Sequence, residues 1–103
     1  MAITSAICNS FKQEILEAEH NFTASTGNTF NLALYTSSAT LGASTTAYSS
    51  SNEITNSSGT AYSAKGKALT SVTPTLDSST AVCDFADVSW TSASFTANGC
   101  LIF

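Results

Sequence analysis

The sequence predicts a mainly β fold, an antiparallel β-sandwich or partial barrel preceded by one N-terminal α-helix. Three observations carry this expectation. Apolar residues recur at helical spacing only in the first fifth of the chain, over about residues 4–19. After Gly27 the period drops to two. From there to the end, short apolar runs are separated by turn-forming residues at about 8–12-residue intervals, the rhythm of small antiparallel sheets.

The helix stripe is Ile7, Phe11, Ile15 and Ala18, with Cys8 and Leu16 beside it and Lys12, Gln13, Glu14 and Glu17 off its centre. Thr4 or Ser5 is a fitting N-cap. Glu17 and Glu19 stand at the C-terminal end, where the helix dipole disfavours anions, so the helix needs outside contacts to persist. In TFNLALYT (29–36), Phe30, Leu32 and Leu34 alternate with Asn31, Ala33 and Tyr35, a strand pattern. Residues 37–51 read as a long small-residue loop. Weak strand signals follow at Glu53–Ile54 and Tyr62, on either side of a turn at Asn56–Gly59. KALTSVTPTL (67–76) alternates again, and Pro74 assigns its end to an edge or a bulge. Asp77–Thr80 reads as a turn, AVCDFADVSW (81–90) as the next strand. FTANGCLIF (95–103) reads as two short strands about Asn98–Gly99. All 103 residues form a single domain: a helix over about 4–19 and a β-rich region over about 29–103. The terminal Leu101-Ile102-Phe103 allows two readings: a strand ending in the core, or a sheet whose following strands are missing and whose edge is open to another chain.

Charge is scarce. Only 10% of residues are charged, against roughly a quarter in ordinary domains, while 18 serines and 16 threonines make up a third of the chain. Ten per cent aromatic content argues against a disordered Ser/Thr linker. A hydroxyl-rich, charge-poor surface suits a molecule packed against other subunits. Three lysines, no arginine and a net charge of −4 cannot build the cationic stripe that nucleic acid or an anionic membrane surface requires. The first residues lack a signal-peptide pattern, and no run of roughly 20 apolar residues occurs. Cys8, Cys83 and Cys100 have neither disulfide-framework nor zinc spacing, so buried free thiols in a reducing cytosol are expected over a Cys83–Cys100 bridge.

The residues that could carry chemistry are few. His20 is the one histidine, no G-x-S-x-G elbow occurs, and Cys8 lies about three helical turns from His20. Glu17-x-x-His20 is half of a carboxylate di-iron motif whose other helices this chain lacks. Asp77, Asp84 and Asp87 fit turns and strand ends better than a hydrolytic pair. The expectation is a protein that is not an enzyme and has no catalytic, metal or cofactor-binding residues and no cofactor. A carbohydrate-binding module is the second class, and it would need Trp90 or the tyrosines exposed on one face.

The stretches SFKQEILEAEHNF (10–22), FNLALYTSSATLGASTTAYS (30–49), ALTSVTPTLDSSTAVCDFADVSW (68–90) and FTANGCLIF (95–103) resemble a family of small virion structural proteins of tailed bacteriophages, including phages of cyanobacteria and other aquatic bacteria. The resemblance spans nearly the whole chain. It implies the same helix-to-sheet order, with a Gly-Tyr-Gly-rich turn where this chain has SSGTAYSAKGK (57–67), from which Ala61 and Lys65 depart. Family members continue with more strand-forming sequence past the position of Phe103. The resemblance further implies a protein made in the host bacterial cytoplasm and located in the virion. Capsid decoration (cement) is the first expectation; a head–tail, tail or fibre-like component is the alternative. The expected partners are further copies, as a trimer or dimer, and other virion proteins such as the major capsid protein, with no nucleic acid and no membrane. Ile7, Phe11, Ile15, Leu101, Ile102 and Phe103 are the candidate interface.

Overall fold

A computed structural model describes residues 5–54, 62–91, 93 and 95–103. One helix, α1 (Asn9–Leu16), precedes five strands: β1 (Asn31–Tyr35), β2 (Lys67–Ala68), β3 (Ser71–Asp77), β4 (Thr80–Phe85) and β5 (Gly99–Ile102). They form two antiparallel sheets, one in the order β2-β1-β5 and one the hairpin β3-β4; no barrel closes. The mainly β expectation with one leading helix therefore holds.

α1 is shorter than its apolar stripe suggests. Ser5 is not its cap, and Thr4 lies outside the described residues. Cys8 holds the N-cap position in extended backbone (φ −62°, ψ 138°) without a side-chain cap, and the Asn9 N–H instead donates to the Ala43 carbonyl at 2.8 Å. At the other end Ala18 turns left-handed (φ 59°). The Ala18 N–H then reaches the Ile15 carbonyl and the Glu19 N–H the Glu14 carbonyl. That is the paired C-terminal bonding usually closed by glycine. Ile7 and Ala18, the two ends of the stripe, thus lie outside the helix.

β1 is the central strand, with most of the buried residues on its Ala33–Tyr35 side and Phe30 (5% exposed) on the other. Ala33 and Tyr35 are fully buried, and Ile54 and Tyr62 nearly so. Gly66 enables the β1–β2 pairing. Its φ is +68°, and a Cβ there would sit 1.8 Å from the Leu32 carbonyl oxygen, so only glycine fits. The anticipated strand over 67–76 is split into β2 and β3, with Pro74 inside a register shift between Val72 and Thr75. Two expectations fail. Asn98–Gly99 is no hairpin turn: Gly99 begins β5, which pairs with β1 (Tyr35↔Gly99 through Leu32↔Ile102) and not with residues 95–98. Glu53 and Tyr62 form no strand; Glu53 makes one isolated bridge to Tyr35. The turn expected at 56–59 lies outside the described residues.

The helix and the hairpin stand away from the three-stranded sheet. No Cα of α1 or of the β3–β4 hairpin comes within 8 Å of it. The radius of gyration is 14.9 Å, against about 13 Å for a compact 100-residue domain. Accessible surface is 6986 Å², against roughly 5500 Å² for compact monomers of this mass. No described helix is long and apolar enough to cross a membrane.

Candidate functional site

Two sites flank β1, one on each face. The first is polar and filled. Glu53 is the one charged residue between Glu19 and Lys65 in sequence. Its bridge to Tyr35 brings its carboxylate under two phenols. Tyr48 Oη donates to Oε1, Tyr62 Oη donates to Oε2 at 2.5 Å, and the Lys65 N–H donates to Oε2 at 2.8 Å. Tyr62 Oη also accepts the Leu34 N–H at 3.0 Å, and Tyr35 Oη donates to the Ser49 carbonyl at 2.7 Å. The hydrogen bond to Glu53, then burial, pushes the Tyr48 phenol up to about 12. Burial first and Glu53 second hold the Tyr62 phenol higher than usual, and burial chiefly raises Tyr35. The phenols are therefore kept protonated donors, and every oxygen of the carboxylate is used. Such a cluster ties the loop of residues 37–54 to the sheet.

Sequence reasoning missed this cluster. Its signal was there: an isolated acid in a long uncharged stretch needs partners once it is half-buried.

The second site is apolar and open. α1, β5, the groove-side residues of β1 and the hairpin surround a groove of about 1250 Å³. Phe30 and Leu34, on the more apolar side of β1, form part of its floor. All six candidate interface residues border it. Ile7, Ile15 and Ile102 are exposed (60, 44 and 51%), while Phe11, Leu101 and Phe103 are half-buried. Phe103 stacks on Tyr48 with centroids 4.7 Å apart, and Phe11 lies 4.9 Å from the His20 ring. Among the described residues lining the groove there is no Asp, Glu, Lys or Arg. An aromatic cluster closes one end: Phe22 and Phe30 stack at 4.5 Å, and Phe85 meets Phe30 edge-on at 5.8 Å.

The other residues singled out from the sequence scatter. His20 Nε2 lies 3.1 Å from Glu14 Oε1, not from Glu17. No described His, Cys, Asp and Glu side chains converge as a metal-binding group. The cysteines are free, but Cys83 and Cys100 are exposed where buried thiols were expected, because the hairpin and β5 have surfaces that nothing covers. Trp90 is half-buried and stacks on Tyr62 (5.9 Å). The Lys67 ammonium lies 5.3 Å from its ring centroid.

No family model matches the chain, and no curated protein or solved structure matches it either.

Proposed function

We propose that this chain is a non-catalytic structural subunit of a tailed-phage particle, a capsid decoration protein in the first instance, made in the host cytoplasm and assembled with copies of itself and with the capsid. The observation that carries the reading is the open, charge-free groove bordered by Ile7, Phe11, Ile15, Leu101, Ile102 and Phe103. An exposed apolar surface of this kind on a small chain marks an interaction site with another protein. The wording of the sequence, which resembles phage virion proteins over most of its length, supports a phage particle as the assembly. The fold is consistent with a subunit completed by neighbours, since its helix buries no residue and its hairpin stands clear of the sheet. The filled Glu53 cluster supports a structural role for the only concentration of polar groups in the described core.

The test is where the protein sits. An averaged image of the intact particle should show it on the outer capsid surface, and purified protein should bind shells stripped of it. Density confined to the tail or to the head–tail junction would move the assignment to the alternative virion component. Absence from the particle would end the reading.

A further inference from the structure

The two edges of the three-stranded sheet are treated differently. β2 is only two residues long, and its Lys67 is held over Trp90 and bonded to the Ser89 carbonyl, so a charge blunts that edge. β5 carries no charge. Asn31 and Phe103 exchange both backbone hydrogen bonds (2.6 and 2.9 Å), which fixes the alternation along the strand. Leu101, like Phe103, is bonded inward to β1, and the N–H and C=O groups of Cys100 and Ile102 face outward. Both side chains are exposed and both border the groove. An edge that pairs with no other strand among the described residues and an unfilled apolar surface therefore coincide in one place.

We propose that a second copy of this chain occupies this site: the two β5 strands pair antiparallel across a twofold axis through Leu101, making one six-stranded sheet with the two grooves joined. This deepens the homo-oligomer part of the proposed function and rests on it. Three observations favour a second copy over another occupant. The outward groups are self-complementary, since Cys100 of one copy can exchange both hydrogen bonds with Ile102 of the other and the reverse pair then forms automatically. The chain carries a net charge of −4, and two copies repel except where their surfaces are neutral, which the groove is. The exposed apolar side chains Ile7, Ile15 and Ile102 border this one groove beside the strand edge and offer a second copy apolar area to cover, where a standard stable interface takes roughly 800 Å² per partner.

The geometry makes an unusual demand that can be read directly. Leu101 of the two copies would form a non-hydrogen-bonded pair with Cα atoms about 4.5 Å apart, within the range that a disulfide spans. In a Cys83→Ser, Cys100→Ser background, Leu101→Cys should therefore oxidise to a covalent dimer. A separate variant, Ile102→Pro, removes an N–H that faces the second copy and not β1. It should leave β-structure intact by circular dichroism and abolish the dimer in sedimentation. The native chain should sediment at twice 10.6 kDa. A stable monomer at high concentration overturns both this arrangement and the homo-oligomer reading. A native trimer overturns the strand pairing alone. So does a dimer that survives Ile102→Pro while the folded Leu101→Cys variant stays uncrosslinked.

Discussion

Glu53→Gln tests whether the polar cluster behind β1 holds the sheet to its loop. The carboxylate accepts from Tyr48 Oη, Tyr62 Oη and the Lys65 N–H. A hydrogen bond to a charged group contributes about 1.5–3 kcal/mol, a neutral one about 0.5–1.5. Glutamine keeps the shape, removes the charge and leaves one acceptor oxygen for three donors. The expected loss is about 2–3 kcal/mol at neutral pH, a large share of the roughly 5–15 kcal/mol that a domain of this size has. Urea unfolding at one fixed protein concentration, followed by the fluorescence of Trp90, should show a midpoint lower by about 1–2 M. The alkaline limb is a second readout. The folded Tyr48 phenol titrates at about 12 against 10.0 ordinarily. The folded state thus keeps a proton that the unfolded chain loses. This stabilisation is complete below pH 10 and vanishes as pH rises through 12. In Glu53→Gln the main cause of the Tyr48 shift is gone, so stability should fall less steeply between pH 10 and 12. An unchanged urea midpoint, or pH curves that run parallel, would refute the idea that the Glu53 charge organises the cluster.

Gly66→Ala should cost at least about 2–3 kcal/mol and fray the β1–β2 pairing, measured as lost amide protection at Leu32 and at Leu69, whose N–H donates to the Phe30 carbonyl, because the added Cβ meets the Leu32 carbonyl at 1.8 Å. Ala18→Gly should stabilise by up to about 1 kcal/mol in the same urea assay, since Ala18 has φ 59° at the helix end. Trp90→Ala should cost about 2–4 kcal/mol through lost packing on Tyr62, and titrating the native protein with glycans should leave Trp fluorescence unquenched. Phe11→Asp with Ile15→Asp should abolish binding to stripped shells while circular dichroism keeps its β signal, because α1 buries no residue; global unfolding of that double variant would place the helix in the domain core.

What the sequence made legible is what local periodicity controls. The alternation of Phe30, Leu32 and Leu34 with Ala33 and Tyr35 located β1, and the Asp77–Thr80 turn located the β3–β4 hairpin. Pro74 announced the register shift. What it hid depends on distant partners. The helix ends where Asn9 finds Ala43 and where Ala18 turns left-handed, and neither event leaves a mark in an apolar stripe. β5 pairs with a strand more than sixty positions earlier, so Asn98–Gly99 looked like a hairpin turn with nothing local to contradict it. The six interface candidates were legible as apolar residues in need of a partner; that two remote segments border one groove was not.

The side of β1 that period-two reasoning would put in the core is the side that faces the groove, and this is the strongest structural argument for assembly. Phe30, Leu32 and Leu34 outweigh Asn31, Ala33 and Tyr35 in apolar volume, yet the fully buried pair is Ala33 and Tyr35. The inversion has a local cause. Tyr35 and its face are claimed by Tyr62, Ile54 and the Glu53 hydrogen bonds, which need desolvation to be strong. On the leucine face Phe30 alone is buried, under Phe22 and the hairpin's Phe85, while the backbones of the helix and the hairpin stand off from the strand and leave Leu32 and Leu34 half-covered. A side chain of leucine size contributes about 1.5–3 kcal/mol when fully buried. Leaving Leu32 and Leu34 only half-covered, beside exposed Ile7, Ile15 and Ile102, withholds several times that amount from the isolated chain. A domain with a six-residue buried core cannot easily forgo so much, and the same area becomes available when the groove is covered. If the proposed assembly forms, folding strength and assembly become coupled, because the apolar surface left open on the isolated chain is the surface that the second copy covers.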